Sequence, residues 1–507
     1  MFRLLVGFVG ILMLTLILIA LALYLMVVPV SSTNAAPVDT YQVFLPQVYT
    51  PVRVPTNPGN PAGPAFFLPG EAPTRNFEVA YDRQGRLHLA FVRHTRTEQV
   101  QEVVYGQCAA AANCDTAANW QTIVIHSGSI GSVQLRVTND GRPRIAIMDE
   151  YTTSSVRLAY MECEAGCLTN ANWQGIALGS GIDFGEAFGQ HIRQRWFAID
   201  TGGRPHMIVS TSQQAMYLTC SATCAITGDG WSVTNLDTTG DEFLTPQLFA
   251  PALAVAATGQ VHIFAQNSRA LVYLTCAQRC DQTQAWQRVI FSDQTGQSIQ
   301  DDLPVSLAFT TLLDLQFDPQ GAVVVAFSGV LPIENGPARS YLWRCVSDCG
   351  TAANWAGRAF SNTYLDALSL AIDPGGKPYI VSAGQVAGTG ERVAELSTCV
   401  AGNCFDPQAN WNTRKLSSSN DLEAESPVKT PLRTPAVCSI ATTSWEHTAQ
   451  QLIWNPAGEV RLISNATAVS ICQPGMDEWI DQWGTKKRGR TVDVWVIYAR
   501  ARWIPVP

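Results

Sequence analysis

The sequence predicts an all-β fold, a seven-bladed β-propeller with four-stranded blades and intrablade disulfides, preceded by one N-terminal apolar helix. Three observations point to it. A turn glycine recurs at Gly85, Gly141, Gly203, Gly259, Gly321, Gly376 and Gly458, most copies roughly 55 to 62 residues apart. Such a period marks one supersecondary unit repeated along the chain. Six close cysteine pairs follow the turns, each trailed by a tryptophan. The composition is low in charge, at 15%, and rich in strand formers, which suits an all-β protein better than a helical one.

At the N-terminus, Arg3 precedes an apolar run from Leu4 to about Val30. The run is long enough to span a membrane, and Thr33-Asn34-Ala35 also fits a cleavage site. Membrane anchor and cleaved signal peptide both stay open for residues 1–30. Either exports the remainder. Residues 31–74 form a proline-rich spacer, with prolines recurring from Pro37 to Pro73, a composition that holds the chain extended and cannot enter a sheet interior. The propeller is expected over 75–507.

The first repeat shows how each element arises. Phe77–Tyr81 reads as a strand, Asp82–Gly85 as a tight turn and Leu87–Val92 as the second strand. The glycine supplies the positive φ that such turns demand. Glu102–Tyr105 and Trp120–Ile125 complete four strands, the blade of a propeller. The cysteine pairs are Cys108/Cys114, Cys163/Cys167, Cys220/Cys224, Cys276/Cys280, Cys345/Cys349 and Cys399/Cys404. Each pair occupies the same place in its own repeat, and radial repeats hold the pairs apart, so local disulfides in an oxidising compartment are expected rather than zinc sites. Cys438 and Cys472 remain and pair by elimination. The seventh unit departs from the pattern: its turn is Asn455–Gly458, a long insertion from Ser417 to about Gln450 precedes it, and an alternating strand from Thr491 to Arg500 ends it.

The run Asp373-Pro-Gly-Gly-Lys-Pro-Tyr-Ile380, with Leu396-Ser-Thr-Cys399, Cys404 and Asn410-Trp411, resembles the repeats of bacterial secreted propellers grouped as sialidase-like or BNR-type. The copies around Gly203 and Gly141 carry the same signature, and the resemblance covers about residues 75 to 500. It implies the propeller architecture. Sialidases of that group carry a tryptophan shortly after the turn glycine and an early arginine motif, neither of which is found here. That departure favours a binding module over an enzyme, and architecture alone transfers no activity.

If the first strand of each blade is innermost, the turns and disulfide loops share one face, and the inter-blade links share the other, irregular one. Binding is expected on the irregular face. Asp183, Asp237, Asp241, Glu242, Asp301 and Asp302 lie on its links. Asp183, Asp237, Asp301 and Asp302 are candidate oxygen ligands for Ca²⁺, against the plainer reading of solvated acidic loops. His191, Arg193 and Arg195 share one side of an extended segment and, with Asp241 and Glu242, are candidate ligand-binding residues; the plainer reading is a set of salt bridges to nearby acids. Asp149, Glu150 and Tyr151 are the candidate catalytic group, although adjacent strand residues point to opposite faces. His88, His206 and His262 occupy one repeat slot, which argues for packing. The tryptophans either stack on sugars or pack between blades, their fixed place after each pair favouring packing. Lys486, Lys487, Arg488 and Arg490 read as a solvated hairpin tip.

With a net charge of −8 and no basic cluster of size, nucleic acid is not an expected partner. The expected protein is extracytoplasmic, anchored at the cell surface or secreted. It acts as a non-catalytic binding or adhesion module for a glycan or a surface protein, with no cofactor certain. A sialidase-like hydrolase and a purely structural surface protein are the alternatives.

Overall fold

The computed structural model describes residues 74–94, 101–109, 114, 119–149, 156–182, 195–210, 214–236, 248–267, 270–291, 309–330, 338–361, 365–385, 392–401, 403–406, 408–418, 441–454, 460–472, 479–480, 486–487 and 493–505. The apolar N-terminal segment and the proline-rich spacer as far as Pro73 lie outside them, and Thr74, read as the end of the spacer, opens the first strand. No helix among the described residues is long and apolar enough to cross a membrane.

The chain folds into consecutive antiparallel sheets. The first holds β1 (Thr74–Tyr81), β2 (Leu87–His94), β3 (Gln101–Cys108) and β4 (Trp120–Gly128). The second holds β5 (Ser132–Val137), β6 (Pro143–Asp149), β7 (Val156–Cys163) and β8 (Trp173–Ile182). The third holds β9 (Phe197–Ile199), β10 (Pro205–Ser210), β11 (Ala215–Cys220) and β12 (Trp231–Leu236). The fourth holds β13 (Leu248–Val255), β14 (Val261–Asn267), β15 (Ala270–Cys276) and β16 (Gln287–Phe291). The fifth holds β17 (Phe309–Phe317), β18 (Val323–Val330), β19 (Ala338–Cys345) and β20 (Trp355–Ser361). The sixth holds β21 (Leu365–Ile372), β22 (Pro378–Gln385), β23 (Arg392–Ala401) and β24 (Asn410–Ser418). In all six the spatial order follows the chain order, as tight antiparallel connections require.

A further sheet has three strands, β25 (Ala441–Trp454), β26 (Val460–Cys472) and β29 (Asp493–Pro505). Between β26 and β29 lies a hairpin of β27 (Trp479–Ile480) and β28 (Lys486–Lys487), so Lys486 and Lys487 sit on a paired strand rather than at the expected hairpin tip, while Arg488 and Arg490 lie outside the described residues. This sheet differs from the four-strand expectation. β25 starts inside the stretch read as an insertion, and β29 pairs directly with β26. Each first strand touches its counterparts in the neighbouring sheets, and β25 touches both β21 and β1. The succession of four-stranded meanders laid first strand to first strand is a propeller-like, all-β fold.

Apolar clusters fill the spaces between successive sheets. The second strands are consequently covered on both faces. Every residue of β6 and of β10 is buried, so neither shows the apolar–polar alternation of a half-exposed strand.

The turn expectation holds for the six described copies, and the seventh, Asn455–Gly458, lies outside the described residues. Gly85 and Gly203 sit at φ +77° and +79°, and the turn glycines through Gly376 share that region. Asp82, Asp200, Asp318 and Asp373 each use one carboxylate oxygen to accept two backbone N–H groups of their own turn, an Asx-type closure.

All six local disulfides are formed. Cys108 is bonded to Cys114, Cys163 to Cys167 and Cys220 to Cys224. Cys276 is bonded to Cys280, Cys345 to Cys349 and Cys399 to Cys404. The set points to folding in an oxidising environment. In each pair the first cysteine belongs to the third strand of its sheet, and the second lies beyond that strand. Cys438 lies outside the described residues, and so does its pairing with Cys472. In the four-residue disulfide loops, the residue before the second cysteine is left-handed: Gly166, Thr223, Arg279 and Asp348. Three of these carry a side chain where L-residues are disfavoured by about 1–2 kcal/mol.

Two stability measurements test this reading. Arg279→Gly, at an exposed loop position with φ +56°, is expected to raise unfolding stability by about 0.5–1 kcal/mol after the entropy cost of glycine. A loss would show that the Arg279 side chain stabilises the loop. Gln451→Ala removes the side chain whose Oε1 accepts from the Val79 N–H (2.8 Å) and whose Nε2 donates to the Val79 carbonyl (2.9 Å). Denaturant unfolding should show a loss of about 1–3 kcal/mol, and an unchanged midpoint would rule out a closing role for this contact.

Candidate functional site

Most of the conspicuous repeated residues serve the fold. Asp82 receives the Arg86 side chain at 2.5 Å and the buried His88 at 3.3 Å. The other ring nitrogen of His88 meets the Tyr105 hydroxyl at 2.7 Å. The third sheet repeats the chain with Asp200, Arg204, His206 and Tyr217. In the fourth sheet Ala256 stands in the aspartate slot, and His262 keeps only its tyrosine, Tyr273, at 2.6 Å. Burial drives the carboxyl of Asp82 upward, but the hydrogen bonds from Arg86 and His88 outweigh it and hold the group below the usual carboxylate range. His88 is pushed down by burial, with Asp82 partly opposing. His262, with burial alone acting, is pushed down to about 4.

The second cysteines act through their backbone rather than as groups of a ligand site. The carbonyl of Cys114 accepts the Trp120 indole N–H at 2.9 Å, and that of Cys167 accepts Trp173 at 2.9 Å. The carbonyl of Cys224 accepts Trp231 at 2.8 Å, that of Cys280 accepts Trp286 at 3.1 Å and that of Cys349 accepts Trp355 at 3.1 Å. These five cysteines are therefore joints of the framework: with their sulfurs locked in disulfides, they have no thiolate for metal or nucleophilic chemistry. The sixth pair differs in place, since Cys399 and Cys404 both line a cavity described below.

The tryptophans held in this way pack between sheets. Four of the rings meet the tyrosine of the preceding sheet edge-on: Trp173 on Tyr105, Trp231 on Tyr160, Trp286 on Tyr217 and Trp355 on Tyr273. Trp411 stacks on Phe360 instead.

The side chains that break the repeat collect on the innermost strands. Arg136 on β5 pairs with Glu78 on β1 at 2.9 Å. Arg195, just ahead of β9, pairs with Asp314 on β17 at 3.1 Å. That pair joins the third sheet to the fifth, passing over the fourth. Asp314 is buried, and its second oxygen accepts the Leu370 N–H at 2.7 Å and the Ser369 hydroxyl. Burial raises the Asp314 carboxyl despite Arg195, the Leu370 N–H and Arg136, and burial lowers Arg136 despite Glu78. The arginine side chains remain 20% and 22% exposed, so each keeps a small accessible surface while fixed by a carboxylate.

A second polar group lies where β4 ends and β6 meets its loop. Asp149 is buried and its Oδ2 lies 2.8 Å from His126 Nε2 and 2.5 Å from Arg157. The candidate catalytic carboxylate is therefore held under an imidazole and a guanidinium, and it orients those groups. Glu150 and Tyr151 lie outside the described residues. So do His191, Arg193, Asp241 and Glu242, and the four candidate calcium ligands Asp183, Asp237, Asp301 and Asp302. Of the segment His191–Trp196, Arg195 joins the axial network and Trp196 is fully buried. Among the described residues no cluster of three or more histidine, cysteine or acidic side chains is arranged to hold a metal. Sequence reasoning missed Arg136, Glu78 and Asp314, which carry no shared motif.

No family model matches the chain, and no curated protein matches it. Among solved structures it is similar to a polysaccharide lyase (10% identity, TM-score 0.40, 86% of this chain and 90% of that one). It is also similar to the intramolecular trans-sialidase of Ruminococcus gnavus (10%, 0.37, 85% and 94%) and to an α-L-arabinofuranosidase of Fusarium graminearum (10%, 0.37, 87% and 96%).

His262 supplies a pH test. Its folded value near 4 lies below the unfolded value of about 6.5, so the unfolded chain binds the proton first. Stability is full above pH 6.5 and falls as pH drops toward 4, by roughly 3 kcal/mol in all. His262→Gln should flatten the difference curve over that window in denaturant titrations, and parallel curves for the two proteins would show the histidine is not the source.

Proposed function

We propose that the protein is an exported or cell-surface binding module, a seven-bladed ring that holds a glycan or protein ligand at its axial mouth without turning it over. The observation that carries this reading is the pair of partly exposed arginines, Arg136 and Arg195, fixed on the innermost strands by Glu78 and Asp314. Preorganised guanidinium groups bind carboxylates and polar ligands with little further ordering. Both carboxylates of the network are committed to arginines, which suits retention better than acid–base chemistry. On this reading residues 1–30 act as anchor or signal and 31–74 as a stalk. The acidic links around Asp183, Asp237, Asp301 and Asp302 add Ca²⁺ to the mouth.

A second reading, a glycan-active hydrolase, is favoured by His126, an imidazole oriented by the buried carboxylate of Asp149. The two separate when residues 73–507, made in an oxidising compartment, meet sialylated, uronic and neutral glycans with calcium and with chelator. Retention without release is expected; released sugar establishes the hydrolase. Arg195→Gln combined with Asp314→Asn removes both charges and leaves neither buried alone. It should weaken retention about tenfold. Unchanged retention would move the ligand away from the axis.

A further inference from the structure

On the opposite face, where turns and disulfide loops meet, a cavity of about 340 Å³ lies at the seam of the fifth and sixth sheets. Its position coincides with two departures from the repeat. In the first and third sheets the arginine after the turn glycine, Arg86 or Arg204, folds back on its own turn aspartate. In the fifth sheet that position is Ala322, and the aspartate, Asp318, is taken by Arg344 from the end of β19. In the sixth it is Lys377, whose ammonium stands over the Tyr379 ring at 5.7 Å. Both cations thereby line one cavity.

Arg344 is built into place. Its Nε lies 2.9 Å from Asp318 Oδ2, with Nη2 on the same oxygen, and its guanidinium carbon is 5.3 Å from the Phe405 ring. Asp318 itself is buried beneath it. The lining holds the amides Gln320 and Asn403 but no carboxylate. Asp373 spends an oxygen on the Gly375 and Lys377 N–H groups of its own turn. Gly376, at φ +86°, keeps the floor open: a Cβ there would sit 3.3 Å from Gln320 Oε1. Lys377, with no carboxylate in the lining, and the edge of Arg344 not engaged by Asp318 together favour an anion, and two amides beside them serve hydroxyl groups. The volume is at the small end of ligand pockets, larger than an inorganic anion needs.

We propose that this seam binds a carboxylate-bearing sugar of one or two rings, at a site independent of the axial mouth. The carboxylate lies between Lys377 and the free edge of Arg344, and the hydroxyls face Gln320 and Asn403.

The test is calorimetric titration of the soluble protein with glucuronate and with glucose. Glucuronate is expected to bind about tenfold more tightly than glucose. Lys377→Ala should remove that preference. Val400→Trp, at a side chain 53% exposed on the cavity wall, should block both sugars without touching the core. These titrations are made in the Arg195→Gln/Asp314→Asn background as well as in the parent, and the preference for glucuronate and its loss are read in that background, where the axial mouth is weakened. Equal affinity for the two sugars, no binding, or binding that survives Val400→Trp overturns the proposal. Loss of binding in the Arg195/Asp314 variant alone overturns it as well and assigns the sugar to the axial mouth.

Discussion

The inner edge of each sheet is the constraint on which the rest depends. A first strand has a hydrogen-bonding partner on one side only, and its other row of N–H and C=O groups faces inward, where unpaired groups are costly. The structure meets this with side chains from neighbouring sheets. Gln134 accepts from the Phe197 N–H, and Ser210 from the Leu248 N–H. Asp314 and Gln316 take the N–H and carbonyl of Leu370. Ser369 accepts from the Leu452 N–H, and Gln451 takes both groups of Val79. Polar residues on the innermost strands are therefore couplings before they are ligand groups, and the arginine–carboxylate pairs sit within that framework.

In the second to fifth sheets the outer part is held differently. A disulfide fixes the loop that presents the second cysteine's carbonyl, the carbonyl fixes the indole, and the indole rests on the previous sheet's tyrosine. That tyrosine is in turn oriented by a histidine in the first, third and fourth sheets. Edge-to-face aromatic contact adds to area burial, and the joint repeats with ring centroids 4.9–5.4 Å apart. Where the repeat loses its tyrosine, at Leu342 of the fifth sheet, the following Trp411 stacks on Phe360. The same seam is the one that opens into the 340 Å³ cavity.

What recurs along the chain is legible in its sequence, and what closes across it is not. The turn glycines, the six disulfides and the packing of the histidines and tryptophans all follow from local spacing and its repetition. The spacing of Cys114, Cys167, Cys224, Cys280 and Cys349 shows their bonds, but not that their carbonyls hold the indoles. The last sheet escapes at its start, since Ala441–Gln450 reads as part of an insertion but pairs with β26, across a register shift between His447 and Ala449. Arg136, Glu78 and Asp314 have no local signature at all, because their partners come from strands one or two sheets away. Arg195 stands out in sequence for its neighbours His191 and Arg193, whereas its partner in the structure is Asp314. Asp149 stands out beside Glu150, and its burial comes from sheet packing that a dipeptide does not reveal. The cavity cations are invisible for a related reason: Arg344 and Lys377 matter through where the repeat would have put them.

The tryptophan–tyrosine joint also bears on how the molecule matures. Each sheet docks on the one made just before it, so every interface except the last connects segments close in sequence. A chain emerging from its N-terminus finds each new surface already prepared, in the manner of nearest-neighbour repeat arrays. The contact of Gln451 with Val79, 372 residues apart, is the exception, and loop-closure entropy makes such a contact the slow one. Until it forms, the first and last sheets each expose an uncovered flank, and the nearly finished ring is the stage most open to association with a second copy.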